Sequence, residues 1–433
     1  MNVNKCSRKP AHSTRLFGSL AAICAFAAVP GVADSNEPSS KLALDEPPVA
    51  GAFRADSDRA TGEWGGLRPG LEERGIYLNG SFTGDFLANV DGGTDTGSTW
   101  AGLFDLELEA DLEQLLGWKG TSFFTNVFYF HGQDLEENHV GSFDAISNIY
   151  SEADFNVFNL YLTQSLADDQ VWIKAGQIAV DDDFMISDSA ELFVNSTFGP
   201  LPTMSGNLSA PEFPLAAPGA VVHYEPVDGW FLQGAVYAGD AGEEDSGNRG
   251  FDWRTGGQAG WVWFAELGHE NDWLAGGVVK LGGFHASGEF ENFKTGANER
   301  GLGSVYAVID QQLRDSSNGI PGTSLFLRGG FVPNDDLAVV NGYVDGGVVF
   351  NDVVMEDDAF GLGISHIFFG DKYVDSVRAG GETATSSQTI IEATAQFPLS
   401  GWLTVQPDIQ YVIDPHFSGE NALILGVRGS MTF

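Results

Sequence analysis

From Ile76 onward the chain alternates with a period of two. Between Ile76 and Val90 the even positions read Ile, Leu, Gly, Phe, Gly, Phe, Ala and Val, and the odd positions Tyr, Asn, Ser, Thr, Asp, Leu and Asn. Between Trp100 and Leu112 the even positions are again apolar or small, while Asp105, Glu107, Glu109 and Asp111 hold odd ones. The stretch NALILGVRGSMTF puts Leu423, Leu425, Val427, Gly429, Met431 and Phe433 on one parity and Arg428, Ser430 and Thr432 on the other. Successive side chains leave a strand on opposite faces, so this is the pattern of strands with one apolar and one polar face.

Sixteen such segments are predicted: 76–90, 100–112, 121–131, 155–166, 170–178, 219–226, 230–238, 258–267, 273–284, 303–312, 324–332, 341–350, 359–369, 387–397, 402–412 and 422–433. Clusters of Gly, Asn, Asp and Pro separate them. The alternation is least clear in 121–131 and 258–267. Counted from the first, odd-numbered links tend to be long (132–154, 179–218, 239–257, 285–302, 370–386) and the alternate ones short (167–169, 227–229, 268–272, 398–401). An even count, strands near ten residues and this asymmetry of loops describe an all-β fold, a 16-stranded antiparallel transmembrane β-barrel over 76–433. Thr61–Gly75 has room for a short N-terminal helical segment.

Alternation also suits a secreted soluble β-sheet sugar-binding protein with its apolar face inward. Three features favour lipid. Sixteen strands exceed a usual sandwich. Aromatic residues stand at strand ends (Trp100, Trp230, Trp273, Trp402, Phe433), as in the girdles of membrane barrels. The apolar faces of the clearest strands carry no charge. Slipping strand 100–112 by one residue would turn four carboxylates toward hydrocarbon. Arg or Lys at mid-bilayer costs about 2–4 kcal/mol, and Asp or Glu somewhat less, so the register is fixed. An unpaired N–H or C=O in hydrocarbon costs several kcal/mol, so the first and last strands must pair.

The N-terminus reads as a secretory signal peptide, 1–33: Lys5, Arg8, Lys9 and Arg15, then the apolar run Leu16–Ala33 with a small-x-small end at Gly31 and Ala33. Residues 34–75 form a lead-in, flexible to about Arg59. Both cysteines, Cys6 and Cys24, fall in the leader, so disulfide and thiol chemistry are not expected beyond it. The chain has 21 Lys+Arg against 60 Asp+Glu, and without the leader's four basic residues 17 against 60, a net charge of −43. Nucleic acid is excluded as a partner, since binding it rests on neutralising phosphates. G-x-S-x-G, H-E-x-x-H and G-x-G-x-x-G are missing and the eight His are scattered, so no enzyme is expected. The acidic loops Asp91–Gly97 and Asn351–Asp358 lack the full spacing of calcium ligands and read as solvated. No cofactor or metal is expected.

Several stretches resemble the carbohydrate-selective porin family, OprB type: GEWGGLRPGLEERGI at Gly62–Ile76, LLGWKG at Leu115–Gly120, KAGQIAVDDDFMISDSAELFVNSTFG at Lys174–Gly199, FPLAAPG at Phe213–Gly219 and WLTVQPDIQYVIDP at Trp402–Pro415. The resemblance runs in order from Thr61 to Phe433. It implies a porin in the outer membrane of a Gram-negative bacterium that passes sugars by diffusion. It also implies that the longest link, 179–218, folds into the lumen, and that Phe433 serves as the assembly signal read by the barrel assembly machinery. That link carries Asp181, Asp182, Asp183, Asp188 and Glu191 beside Phe184, Phe193 and Phe198. Sugar hydroxyls want acceptors and sugar C–H faces want flat apolar contact, so these are constriction candidates. A solvated outer loop whose aromatics only pack is the plainer alternative.

Parity supplies the opposite wall. With Leu325, Leu327 and Phe331 toward lipid, Arg328 faces inward, as do Lys174, His223, Arg428, Asp85, Asp105, Glu107 and Glu109. Inward charges tune channel selectivity, or merely neutralise one another. The expected permeants are neutral sugars and, given the acidity, small cations, with outer-membrane lipid around the wall and a homotrimer left open. A cation-leaning general porin without sugar specificity is the alternative.

Overall fold

The computed structural model describes residues 58–433 except 245 and 318. The expected leader, 1–33, and the lead-in to residue 57 lie outside the described residues. Sixteen strands form one closed antiparallel barrel in sequential order. They are β1 (Ile76–Gly92), β2 (Gly97–Asp111), β3 (Thr121–Gly132), β4 (Phe155–Leu166), β5 (Val171–Ile178), β6 (Ala217–Val227), β7 (Trp230–Ala238) and β8 (Trp261–Asn271). The second half comprises β9 (Gly277–Asn292), β10 (Ala297–Arg314), β11 (Gly322–Phe331), β12 (Val340–Asn351), β13 (Ala359–Phe369), β14 (Ser387–Ser400), β15 (Leu403–Ile413) and β16 (Ala422–Thr432). β16 pairs with β1, setting Asp85 opposite Arg428 and Phe86 opposite Val427. No backbone edge is left open, as hydrocarbon requires.

The outer face carries the expected parity: Leu425 is 42% exposed, Leu106 45% and Leu362 54%. Buried apolar residues instead gather inside the barrel, between the wall and two segments that fold into it. Segment 179–216, after β5, presses Phe193 and Phe198 on Phe326 and Val349, and Met185, Leu201 and Met204 into a larger group with Tyr237, Phe264, Phe284 and Tyr306. Segment 133–154, after β3, sets Leu135, Val140 and Ile146 against Leu87, Ile390, Val412 and Ile424. Burying this apolar area is the main driving force for holding both segments inside.

Among the described residues four α-helices lie outside the strands: α1 (Leu67–Glu72) before β1, and α2 (Leu112–Leu116), α3 (Pro202–Ser205) and α4 (Asp371–Ala379) in the links. Asp111 caps α2, accepting from the amides of Glu113 and Gln114. The segment around α1 is bound to the barrel rim. Ala60 N–H donates to the Thr432 carbonyl at 2.8 Å. Arg68, 1% exposed, donates to the Phe433 carbonyl at 2.9 Å, with its guanidinium over the Trp64 ring. Phe433 N–H in turn donates to the Gly80 carbonyl, joining β16 to β1 at that rim.

Two expectations shift. The strand expected at 258–267 is Trp261–Asn271; Gly256 and Gly260, both at positive φ, form a tight turn just before it. The long link expected at 285–302 is mostly strand, because β9 runs to Asn292 and β10 starts at Ala297. Those extensions carry Glu289, Glu291, Glu299 and Arg300. Beyond the hydrocarbon both strand faces meet water, so the alternation fades although the pairing continues.

Candidate permeation site

Segment 179–216 is held to the wall by charged groups that parity turns inward. Arg328 on β11 is 2% exposed. It binds both carboxylate oxygens of Asp345 across the β11–β12 register and donates to the carbonyls of Phe198 at 2.7 Å and Gly199 at 2.8 Å. Asp310 on β10 accepts from the Ser187 hydroxyl, the Ser189 hydroxyl and the Ser189 amide at 2.6, 2.6 and 2.9 Å. Glu392 on β14 accepts from the amides of Val194 and Asn195 at 2.6 and 3.0 Å. Lys280 donates to the Ile186 carbonyl at 3.0 Å, and Glu266 accepts from Met185 N–H at 3.2 Å. Charge-assisted bonds of this kind are roughly twice as strong as neutral ones. The segment is therefore a fixed partition across the lumen.

Two wall glycines make room for it. A Cβ at Gly363 would stand 2.8 Å from the Phe193 ring and 2.9 Å from the Phe198 ring, and one at Gly361 3.0 Å from Phe193. Phe184, Phe193 and Phe198 are 1%, 1% and 3% exposed. Their faces lie against the wall and out of reach of a permeant, which corrects the expectation that they offer flat contact to sugars. They were placed in the right segment; strand parity does not extend into a loop, so their direction was not readable.

Asp85 and Arg428 also pair, with two contacts of 2.8 Å. The Ser147 hydroxyl donates to Asp85 at 2.7 Å and Arg428 donates to the Asn148 side-chain oxygen at 2.6 Å, so this pair holds segment 133–154. Lys174 meets Asp183 at 2.7 Å, with its ammonium 4.8 Å from the Tyr161 ring centroid and 5.6 Å from that of Trp172. His223 stacks between Trp172 and Phe231 at 5.0 and 5.2 Å and shares a 3.1 Å hydrogen bond with Gln233. Asp181 accepts from Phe213 N–H at 3.2 Å.

The remaining candidates face open lumen. Asp182, Asp188 and Glu191 are exposed on segment 179–216, Glu109 is exposed on β2, and Asp105 and Glu107 are half-buried beside it. The Asn159 side chain donates to Asp182 at 2.8 Å, and that of Asn126 to Asp105 at 3.3 Å. Although its edge is exposed to the lumen, desolvation by the enclosing barrel, then the neighbouring Asp181, push the Asp182 carboxyl up to about 7. Burial, then Asp188, raise Glu191. A recess of about 430 Å³, lined by Tyr77, Glu109, Asp111, Glu113 and Asp169 among others, opens where β1–β5 meet the rim that carries Phe433. The sign of the lumen is thus set by the arrangement: its cations Lys174, Lys280, Arg328 and Arg428 are engaged by acids or a carbonyl, whereas these acids form no ion pair among the described residues.

Sequence reasoning missed Asp345, Asp310, Glu392 and Glu266, although each stands on the inward parity of its strand. It also treated 132–154 only as a long link.

A family model described as carbohydrate-selective porin, OprB family, matches residues 95–433. Porin B of Pseudomonas aeruginosa is 26% identical to this chain, over 89% of this chain and 93% of that one. The high-pH structure of Pseudomonas putida OprB superposes with a TM-score of 0.80 at 20% identity, covering 88% of this chain and 100% of that one. Salmonella typhi OmpF in complex with daunomycin gives 0.51 at 12% identity, covering 84% and 99%. At these identities the structural likeness speaks for the fold.

Proposed function

Because the chain belongs to the carbohydrate-selective porin, OprB family, we propose that segment 179–216 is what narrows its channel for sugars. The protein is an outer-membrane porin of a Gram-negative bacterium, giving carbohydrates passive, diffusion-driven passage through a water-filled barrel. The finer reading concerns the path. Segments 179–216 and 133–154 occupy much of the lumen. Permeants pass the carboxylates of Asp188 and Glu191 beside β10 on one side and those of Asp182, Asp105, Glu107 and Glu109 beside β2–β4 on the other. Arg328, Arg428, Lys174 and Asp85 act as struts that fix the opening rather than as contacts for the solute. A ring of acceptors suits sugar hydroxyls, and an acidic lumen favours small cations over anions. The observation that carries this reading is the pairing of Lys174, Arg328 and Arg428 with acids, beside lumenal carboxylates that form no ion pair among the described residues.

Conductance of the reconstituted protein in a planar bilayer, with sugars titrated in, tests it. Concentration-dependent block by glucose or short saccharides is expected. Indifference to every sugar would leave only a cation-leaning general pore, and a reversal potential favouring chloride would overturn the charge reading. Phe433, paired at the rim, is the residue we assign to recognition by the barrel assembly machinery; Phe433→Ala should lower the yield of folded barrel in the membrane.

A further inference from the structure

One side of the open lumen combines two chemistries that a neutral hexose does not need together. Phe124, Tyr161, Trp172, His223 and Phe231 stand inward on five successive strands, β3 to β7. Phe124 stacks on Tyr161 at 5.2 Å, and Trp172, His223 and Phe231 form a second stack. The Lys174 ammonium, tied to Asp183, sits between the two. The row is a rack of plates pressed face to face, with only part of each ring left to the lumen. At its Tyr161 end the electrostatic neighbours are Asp182, Asp183, Glu109 and Glu107. Asp183 adds a separate observation. Its side chain is 7% exposed, one oxygen takes Lys174, and the other has no hydrogen-bond partner. A buried acceptor left open beside exposed carboxylates lacks a donor, preferably a charged one.

We propose that Asp182, Asp183, Glu107 and Glu109, around the Tyr161 ring, form a subsite for amine-bearing monosaccharides, hexosamines with a free ammonium. The inference rests on the sugar-porin reading and narrows it. The ammonium supplies the missing charged donor, the sugar hydroxyls donate to the accessible carboxylate oxygens of Glu107, Glu109 and Asp182, and the ring C–H groups meet the apolar edges of the rack. Neutral hexoses gain only the last two. N-acetylation removes the charge, and a uronic acid meets like charge. A cleft lined by one sign of charge raises the local concentration of the opposite ion at least about tenfold at low salt, and 1 M salt shortens the screening length to about 3 Å and removes most of that gain.

The test is uptake of radiolabelled glucosamine, glucose, N-acetylglucosamine and glucuronate into proteoliposomes holding the full-length barrel, at pH 7 in low salt. The glucosamine-to-glucose flux ratio is expected to be about tenfold. It should fall toward one in Glu107→Gln/Asp182→Asn and in 1 M KCl, with N-acetylglucosamine close to glucose and glucuronate slowest. The ratio is insensitive to how much protein folds, because misfolded barrels lower both fluxes together. A wild-type ratio near one, or a ratio untouched by the double variant, overturns the hexosamine subsite while sugar passage stands. Absence of flux for all four sugars overturns the sugar-porin reading itself.

Discussion

Replacing Arg328 with Met keeps an unbranched apolar stem and deletes the guanidinium. Asp345, 2% exposed, is left with the Tyr343 hydroxyl at 2.9 Å as its remaining side-chain donor. Breaking a buried pair by removing one partner costs about 3–5 kcal/mol, because the other charge stays buried without compensation. The carbonyls of Phe198 and Gly199 lose their donors as well. The anchors at Asp310 and Glu392 remain, so the barrel should still close while the middle of segment 179–216, around Phe198 and Gly199, comes loose. Two assays follow. The temperature at which the folded band disappears on gels should drop, and single-channel recordings should show larger and noisier conductance. Arg328→Met/Asp345→Leu should recover most of the stability, since replacing both members of a buried pair is often near neutral, yet its channel should stay wide. Unchanged conductance and an unchanged unfolding midpoint in Arg328→Met would refute the reasoning.

Ion selectivity should depend on pH with a fixed sign. With the Asp182 carboxyl pushed up to about 7, raising the pH from about 5.5 to about 8.5 deprotonates it and adds negative charge to the lumen. The cation-to-anion permeability ratio should rise over that range and flatten in Asp182→Asn; a flat wild-type profile contradicts the assignment. A second pH effect concerns the loops between strands. His416 is fully buried among Phe143, Phe369, Tyr373 and Phe417, and neither ring nitrogen has a partner. Burial lowers it from 6.5 to about 4. The unfolded segment therefore binds a proton that the folded one refuses, and stability falls as the pH drops from 6.5 toward 4, by about 3 kcal/mol in all. Protease digestion of the loops should speed up over that window in the wild type and lose its pH dependence in His416→Phe.

What the sequence disclosed is what the bilayer dictates. Leu327 must meet lipid, so Arg328 must face inward, and the same count places Lys174, His223, Asp85 and Arg428. Sequence parity does not say what an inward charge touches. That depends on register between strands, which sets Asp345 opposite Arg328, and on loop paths that no periodicity governs. Segment 133–154 illustrates the second limit: Leu135, Val140 and Ile146 are ordinary apolar residues in a polar stretch, and only their fit against Leu87 and Ile424 turns them inward. β9 and β10 illustrate a third, because pairing continues past Phe284 and Leu302 where lipid no longer imposes alternation.

The claim beneath all of this is that Glu191 faces water inside the wall while Leu425 faces lipid outside it. Cys6 and Cys24 are the only cysteines in the sequence, both within the expected leader, so single cysteines can report on the mature barrel. A charged, membrane-impermeant thiosulfonate added during single-channel recording should cut the current through Glu191→Cys in one step and leave Leu425→Cys unaffected. Current loss in Leu425→Cys with no response in Glu191→Cys would contradict it.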